Sequence, residues 1–338
     1  MMKKVKVGII GAGRIGQLHA DNLLRSNIYK IKTFADICTD HLIGTHYEKE
    51  IPVITNEVNK VFQDKDIDAV FICSSTDTHV EYIKAAAKAG KHIFCEKPIS
   101  LDLLQTKEAL ACVEEHGVHL QVGFNRRFDK HFRKVQHLVR EGKVGDVHLV
   151  KISSRDPQVP PEDYIKVSGG MFIDMTIHDF DMVRYLVGAE VRDITVKANC
   201  LIDPVFEKYE DVDTAVITLT FENDVIAVID NSRQAVYGYD QRIEVFGSEG
   251  SVAADNETET NVKVSTRDHV ISDNPKSFFL ERYIDSYKVE TEEFAAAILQ
   301  QEKVPCTGKD GYQAEKLALA ARISWKEDRT VKMSELTI

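Results

Sequence analysis

The sequence predicts an α/β protein in two domains: an N-terminal doubly wound parallel sheet, then a C-terminal α+β domain with a mainly antiparallel, open sheet. Three observations carry this. Over residues 4–124, short and continuously apolar runs alternate with helix-length stretches, as strands covered on both faces require. The segment Gly11-Ala12-Gly13-Arg14-Ile15-Gly16 joins the first apolar run to the first helix. Beyond residue 190 the pattern changes to two-residue alternation, punctuated by Glu222-Asn223-Asp224 and Gly247-Ser248-Glu249-Gly250, the turn chemistry of antiparallel strands.

In order, the first domain's strands are predicted at 4–10, 30–36, 51–54, 68–74, 91–95 and 118–124. Helices fall near 14–26, 39–49, 56–63, 77–89 and 101–116. Ala69-Val70-Phe71-Ile72-Cys73 and His92-Ile93-Phe94-Cys95 are the clearest buried strands. In the glycine segment each residue type has a job. Gly11 allows a tight turn, Gly13 lets backbone approach a pyrophosphate, and Gly16 lets helix pack on strand, while the helix N-terminus offers N–H donors to phosphates. Asp36 lies 20 residues after Gly16, at the end of the second strand, and no arginine follows it. Its carboxylate would accept ribose hydroxyls and repel a 2′-phosphate. Strand, glycines, helix and acid together predict a Rossmann domain that favours NAD over NADP, with Gly11, Ala12, Gly13, Arg14, Ile15, Gly16, Asp36 and Ile37 at the cofactor. The alternative is an ordinary glycine turn.

Strand four ends in Ser74-Ser75-Thr76-Asp77-Thr78-His79. Thr76 or Asp77 would cap the next helix. Ligands of such sheets gather at the carboxyl ends of the strands, so Ser74, Thr76 and His79 join the cofactor set. Strand five delivers Glu96-Lys97-Pro98 to the same edge, which places Lys97, with Glu96 beside it, to reach both cofactor and substrate. A surface ion pair is the competing reading. The domains divide after Phe124, giving 1–124 and 125–338.

In the second domain a helix near 129–141 precedes a strand over 146–156. Asp156 to Val167, with Pro157, Pro160 and Pro161, reads as a loop able to lie over a site. One helix is expected from Gly169-Gly170 to Gly188. Met171, Met175, Met182 and Leu186 mark one apolar face of it, and Ile173, Ile177, Phe180 and Val183 another. Asp174 and His178, four apart, would share a face. Buried together, they form either a general acid–base histidine steered by a carboxylate or a self-satisfied core pair. Strands follow at 190–201, 213–221, 225–235, 240–247, 251–255 and 261–267, and helices near 279–301 and 309–327.

Composition narrows the function. The chain has 338 residues, a formal net charge of −11, and 43 % hydrophobic and 29 % charged residues. Without a sustained Lys/Arg block it is expected to bind neither nucleic acid nor an anionic membrane surface. Met1-Met2-Lys3-Lys4 runs straight into a strand, and no run is long enough to span a bilayer, so a cytoplasmic protein is expected. Six cysteines stand without CxxC spacing and read as reduced thiols. His116 and His119 have no accompanying ligands, and no metal is expected.

Gly11 to Gly16, Glu96-Lys97-Pro98 and Asp174-x-x-x-His178, taken together, resemble the glucose–fructose oxidoreductase/inositol dehydrogenase (Gfo/Idh/MocA) family over essentially the whole chain. Asn125-Arg126-Arg127-Phe128-Asp129, Ser154-Arg155-Asp156-Pro157, Ser168-Gly169-Gly170-Met171, Ser232 to Arg242 and Phe278 to Tyr283 are most similar to its myo-inositol 2-dehydrogenase branch. The resemblance implies NAD-dependent oxidation of a cyclitol secondary alcohol, myo-inositol to 2-keto-myo-inositol first, with Lys97, Asp174 and His178 handling the hydroxyl proton. Histidine suits a base near neutrality, and a lysine cation would stabilise a developing alkoxide. Which of Lys97 and His178 meets the proton stays open. Arg127, Asp156 and Tyr237 are implied polyol contacts, with Tyr283 a further candidate, and the resemblance also implies a homotetramer in which the open sheet face is a subunit interface. Another cyclitol or aldose is the first alternative, and a sensor binding NAD and sugar without turnover is the second.

Overall fold

The computed structural model describes residues 4–336. The chain divides into two compact units, one made of residues 4–125 together with 285–315, the other of 126–284 together with 316–336.

The first unit contains β1 (Val5–Ile10), α1 (Arg14–Arg25), β2 (Tyr29–Ala35), α2 (His46–Glu50), β3 (Val53–Thr55), α3 (Asn59–Gln63), β4 (Ala69–Ile72), α4 (Thr76–Lys88), β5 (His92–Glu96), α5 (Leu103–Glu115) and β6 (Leu120–Gly123). Its six strands pair in parallel in the order β3-β2-β1-β4-β5-β6. The order reverses between β1 and β4, which opens the crevice where such sheets take ligands. The expected helix over 39–49 is instead a 3₁₀ turn at Asp40–Leu42 followed by α2, because Thr45 caps α2 by accepting from the Tyr47 amide at 3.3 Å.

The second unit begins with α6 (Lys130–Arg140), β7 (Val147–Arg155), α7 (Glu162–Ser168), α8 (Met171–Asp174), α9 (Ile177–Val187), β8 (Val191–Asn199) and α10 (Val205–Lys208). It continues through β9 (Thr214–Phe221), β10 (Ile226–Ser232), β11 (Asp240–Gly247), β12 (Gly250–Ala254), β13 (Lys263–Ser265), β14 (Val270–Ser272) and α11 (Phe279–Arg282). The chain closes with α12 (Ile284–Gln300), α13 (Gly308–Glu327) and β15 (Val331–Lys332). Seven strands form one sheet, β12-β11-β7-β10-β9-β8-β15, in which only β7 and β10 pair in parallel, and β13 and β14 make a separate hairpin. Along β9 the inward Ala215, Ile217, Leu219 and Phe221 alternate with Val216, Thr218 and Thr220. That is the pattern of a sheet covered on one face.

Three expectations are corrected. The division is not a single cut after Phe124, because residues 285–315 return to the first unit. There Phe294, Ala295, Ala297 and Val304 join the core of Val7, Ile9, Phe34, Phe71 and Phe94, and the Tyr29 hydroxyl donates to the Thr291 carbonyl. The segment Asp156 to Val167 is not all loop, since α7 starts after Pro161 with Glu162 and Asp163 in its first turn, where proline and acids favour a helix start. The helix expected over 169–188 is two helices.

Candidate active site

In the first unit the glycine loop is built as its residue types demand. Gly11 has φ +99°, and a Cβ there would lie 2.5 Å from backbone atoms of Cys73 and Ser74. A Cβ on Gly16 would lie 1.8 Å from the Gly11 carbonyl oxygen, so α1 packs directly on the turn. A Cβ on Gly13 meets nothing within 4 Å. Gly13 is also the N-cap of α1, with no side-chain cap and no acid in the first turn, so the helix's amide donors and positive end face that open space. Asp36 closes the loop. Its Oδ2 accepts from the Ala12 amide at 2.5 Å and its Oδ1 from the Cys38 amide at 2.9 Å, and a carboxylate so placed retains lone pairs for ribose hydroxyls. The residues present therefore fit a dinucleotide. His41 and Gln17 both bond the Ala12 carbonyl, at 3.0 and 2.9 Å, a support of the loop that no sequence signal marked.

The loop yields a contrast between two variants. Gly13→Ala should fold normally and weaken NAD by about tenfold or more, a loss of roughly 1.4 kcal/mol of binding. Gly16→Ala should lose about 3 kcal/mol or more of stability through backbone overlap. Thermal melts and NAD titrations of both proteins check this, and equal behaviour of the two would contradict the assigned roles.

At the end of β4, Ser74 and Thr78 share a hydroxyl hydrogen bond at 2.7 Å. Ser75 is the N-cap of α4, without a side-chain bond, so neither Thr76 nor Asp77 caps it. Thr76 opens the helix at this edge and remains a candidate for the ribose. His79 is corrected. It is buried, and its Nδ1 and Nε2 lie 2.8 Å from the Pro98 carbonyl and 3.0 Å from the Ser74 carbonyl. Both ring edges thus face backbone carbonyls, one of which accepts the single N–H of the neutral ring, and the residue ties the end of β4 to the Lys97–Pro98 turn. Burial lowers its pKa.

Lys97 sits between fixed points. Glu96 before it is bonded by His19 Nε2 at 2.8 Å, and Pro98 after it, joined by a cis peptide, is held by His79. Next, the Ile99 and Ser100 amides donate to buried Glu315 at 2.6 and 3.2 Å, and the Thr106 hydroxyl donates at 2.6 Å. Burial pushes the Glu315 carboxyl up to about 7. His19 and Glu315 escaped the sequence reading; His19, three residues after Gly16, stands on the face of α1 turned to the sheet.

In the second unit, α8 ends at Asp174 and α9 begins at Ile177. The break lies at Thr176. Its hydroxyl is drawn to Asn231 Oδ1 at 2.6 Å, its amide reaches back to the Met171 carbonyl, and its own carbonyl starts α9 by accepting from the Asp179 and Phe180 amides. Asp174 and His178 therefore belong to successive helices, not to one face of one helix. Asp174 Oδ1 accepts from Tyr164 on α7 at 2.6 Å, and its Oδ2 accepts from Arg233 at 3.0 Å. The same guanidinium donates to Asp156 Oδ2 at 3.0 Å. Arg233 thus bridges two candidates, Asp156 and Asp174. Burial lowers the arginine's pKa, but Asp174 and Asp156 outweigh it and the net shift is upward. Burial raises Asp156. His178, half-buried, stands in the first turn of α9.

The remaining candidates are tied down. Arg127, buried, gives Nε and Nη2 to Asp181 at 2.7 and 2.6 Å and stacks over Tyr185, so the structure gives it the ion-pair role. Tyr237 donates to Asp240 Oδ2 at 2.5 Å and accepts from Arg155 at 3.1 Å, and it is 39 % exposed. Tyr283 is only 1 % exposed, with its hydroxyl towards Gln241, which removes it as a direct polyol contact. Beneath these residues lies a pair that sequence reasoning missed. Arg126 Nη1 meets Asp179 Oδ1 at 2.5 Å, and Asn231 donates to Asp179 Oδ2 at 2.9 Å. Its only signal was two adjacent arginines, Arg126-Arg127, and two nearby acids, Asp179-x-Asp181. Among the described residues, no helix is long and apolar enough to cross a membrane.

Comparison with known proteins agrees with this architecture. Residues 5–124 match an oxidoreductase family with an NAD-binding Rossmann fold, and residues 132–253 match the Gfo/Idh/MocA C-terminal domain. The chain is 55 % identical to the uncharacterized oxidoreductase YrbE of Bacillus subtilis, over 96 % of this chain and 95 % of that protein. It is 44 % identical to myo-inositol 2-dehydrogenase of Thermotoga maritima, over 98 % and 99 %. A crystal structure of scyllo-inositol dehydrogenase from Lactobacillus casei with bound NAD(H) and scyllo-inositol superposes with a TM-score of 0.90 at 31 % identity, covering 98 % of this chain and 100 % of that one. With its glycine loop, its Asp36 clasp and its seven-stranded second sheet, the chain belongs to the Gfo/Idh/MocA family of NAD-binding oxidoreductases.

Proposed function

We propose that this protein oxidises a secondary alcohol of a cyclitol with NAD, with myo-inositol converted to 2-keto-myo-inositol as the principal reaction. The observation that carries the reaction class is Lys97, held at the carboxyl end of β5 between the His19-bonded Glu96 and the His79-bonded Pro98. The Thermotoga relative, named for myo-inositol, supports the substrate.

Bound NAD supplies the acceptor for the hydride. Gly11, Ala12, Gly13, Arg14, Ile15 and Gly16 would hold its pyrophosphate, Asp36 and Ile37 the adenosine side, and Ser74 and Thr76 the nicotinamide side. His178 takes the hydroxyl proton, and the Lys97 cation stabilises the alkoxide as it develops. Asp174, fixed by Tyr164 and Arg233, holds a neighbouring hydroxyl and keeps a negative charge beside the substrate. Asp156 and Tyr237 contact the polyol, and Arg127 fixes this region through Asp181.

We also propose a cytoplasmic homotetramer. The exposed Val216, Ile226 and Phe246, which share one face of the sheet, support the assembly. The similarity to a scyllo-inositol dehydrogenase favours a second reading, in which scyllo-inositol is the better substrate.

NADH formation tests the reading, with myo-inositol, scyllo-inositol and glucose each run with NAD and NADP. Fast turnover of myo-inositol with NAD, and little with NADP, is expected. Equal use of NADP would remove the Asp36 argument, preference for scyllo-inositol would select the second reading, and tight NAD binding without turnover would indicate a sensor.

A further inference from the structure

Two strands of the second unit end side by side at the candidate polyol contacts. Ser232 and Arg155 are the last pair of the β7–β10 register, so Arg233 and Asp156 are the next residues of two parallel neighbours and project from one face. Backbone bonds fix both. The Asp156 amide donates to the Ser232 carbonyl at 2.9 Å, the Ala235 amide to the Asp156 carbonyl at 2.7 Å, and the Arg233 amide to the Asp213 carbonyl at 2.8 Å. The Arg233 guanidinium then gives Nη1 to Asp156 Oδ2 and Nη2 to Asp174 Oδ2, each at 3.0 Å. Its buried Nε has no hydrogen-bond partner among the described residues, so the two carboxylates take all of its side-chain hydrogen bonding. Arg127 places Nε and Nη2 on the single carboxylate of Asp181. Arg233 instead divides its donors, and its bond is the only one that the Asp156 carboxylate makes among the described residues.

Side-chain exposure rises from the cation outwards: 4 % at Arg233, 10 % at Asp174 and 24 % at Asp156. The guanidinium thus lies beneath the carboxylates, and a ligand meets the acids first. We propose that Arg233 is the positioning residue that makes the site select polyols: out of the ligand's reach, it holds the Asp156 and Asp174 carboxylates at one spacing, so that they accept from two hydroxyls of the same ring. Neighbouring hydroxyls of a cyclitol are donors a fixed distance apart, and a carboxylate is an acceptor only while ionised. Arg233 meets both requirements. One planar group spans the pair, and its charge offsets theirs; without it, two adjacent carboxylates repel and one takes up a proton. Burial raises the Asp156 carboxyl, and Arg233 is the strongest influence opposing the rise. Tyr164 steadies Asp174 from the other side by donating to Oδ1 at 2.6 Å. Asp156 keeps Oδ1 for the ring. A simple secondary alcohol brings no second hydroxyl to this pair and forgoes its contribution.

This role rests on the reading of Asp156 as a polyol contact, and a double-mutant cycle on the KM for myo-inositol separates the two. Arg233→Lys suits the test, because it keeps a cation beside the acids but loses the planar fork; Arg233→Met would strand both carboxylates and endanger the fold. Asp156→Asn and Arg233→Lys should each raise the KM by about tenfold, with a smaller change in kcat and the Kd for NAD within about threefold. Because the arginine acts through the acid, the double variant should fall well short of the loss of about a hundredfold that independent effects would give. An unchanged KM in Asp156→Asn would remove the polyol reading of that residue, and the role of Arg233 with it. A KM raised in Asp156→Asn but unchanged in Arg233→Lys would overturn the role of Arg233 alone, as would fully multiplying losses in the double variant.

Discussion

Lys97→Met lowers kcat for cyclitol oxidation by about a thousandfold while the Kd for NAD stays within about threefold, the range expected when one fixed charge is removed from a developing anion. The reasoning starts with the strand. Glu96 is the last residue of β5; it pairs with Gly123 of β6, and Cys95 before it pairs with Ile72 of β4, so its backbone is restrained by the sheet. His19, His79 and Glu315 then fix the peptides on either side. A cation delivered by so rigid a segment needs little reorganisation when alkoxide charge appears. Methionine keeps the length and apolar stem of lysine, so the fold should be spared. Steady-state kinetics with NAD titration decide the matter, and turnover within tenfold of wild type would take Lys97 out of the reaction.

Arg126→Leu destabilises the second unit by about 3–5 kcal/mol, because it strands the Asp179 carboxylate in the interior. On a chain of this size that is a fall in melting temperature on the order of 10 °C. Asp179 is fully buried, Arg126 is nearly so, and Ser154, Tyr239 and Asn231 complete the network around them. Burial raises the Asp179 carboxyl, and Arg126 is the largest opposing influence. Without the arginine the carboxyl rises further. A raised carboxyl contributes stability that is complete below its unfolded value and is lost as pH rises through its folded value. The defect of Arg126→Leu should therefore be smallest in acid and grow towards neutrality. Replacing both partners with leucine should recover most of the loss, since a well-packed apolar pair is often as stable as a buried ion pair. Melting curves of the single and double variants across pH check all three statements, and a defect independent of pH would mean Asp179 is not the stranded group.

The first unit was legible because its signals are local. Continuous apolar strands such as Ala69–Ile72, the glycine loop and Asp36 each declare themselves within a few residues. What escaped depended on distant partners. Periodicity over 171–187 shows an apolar helix, but the break at Thr176 is made by Asn231, 55 residues away. The return of residues 285–315 turns on Phe294 meeting Phe71 of β4 and Phe94 of β5, which an amphipathic helix does not announce. For the candidate site, the residue types were readable and their pairings were not. Arg127 reads as a polyol contact until its ion pair with Asp181 is seen. His79 looked like a cofactor contact because it follows Ser74 and Thr76, yet its position in α4 turns it inward to Pro98.

The most direct test follows the transferred atom. With myo-inositol carrying deuterium at C2 and with unlabelled NAD, the mass of the reduced cofactor should rise by one deuterium, and the organic product should be 2-keto-myo-inositol. Reduced cofactor without deuterium, or a product oxidised at another carbon, would contradict the proposed reaction.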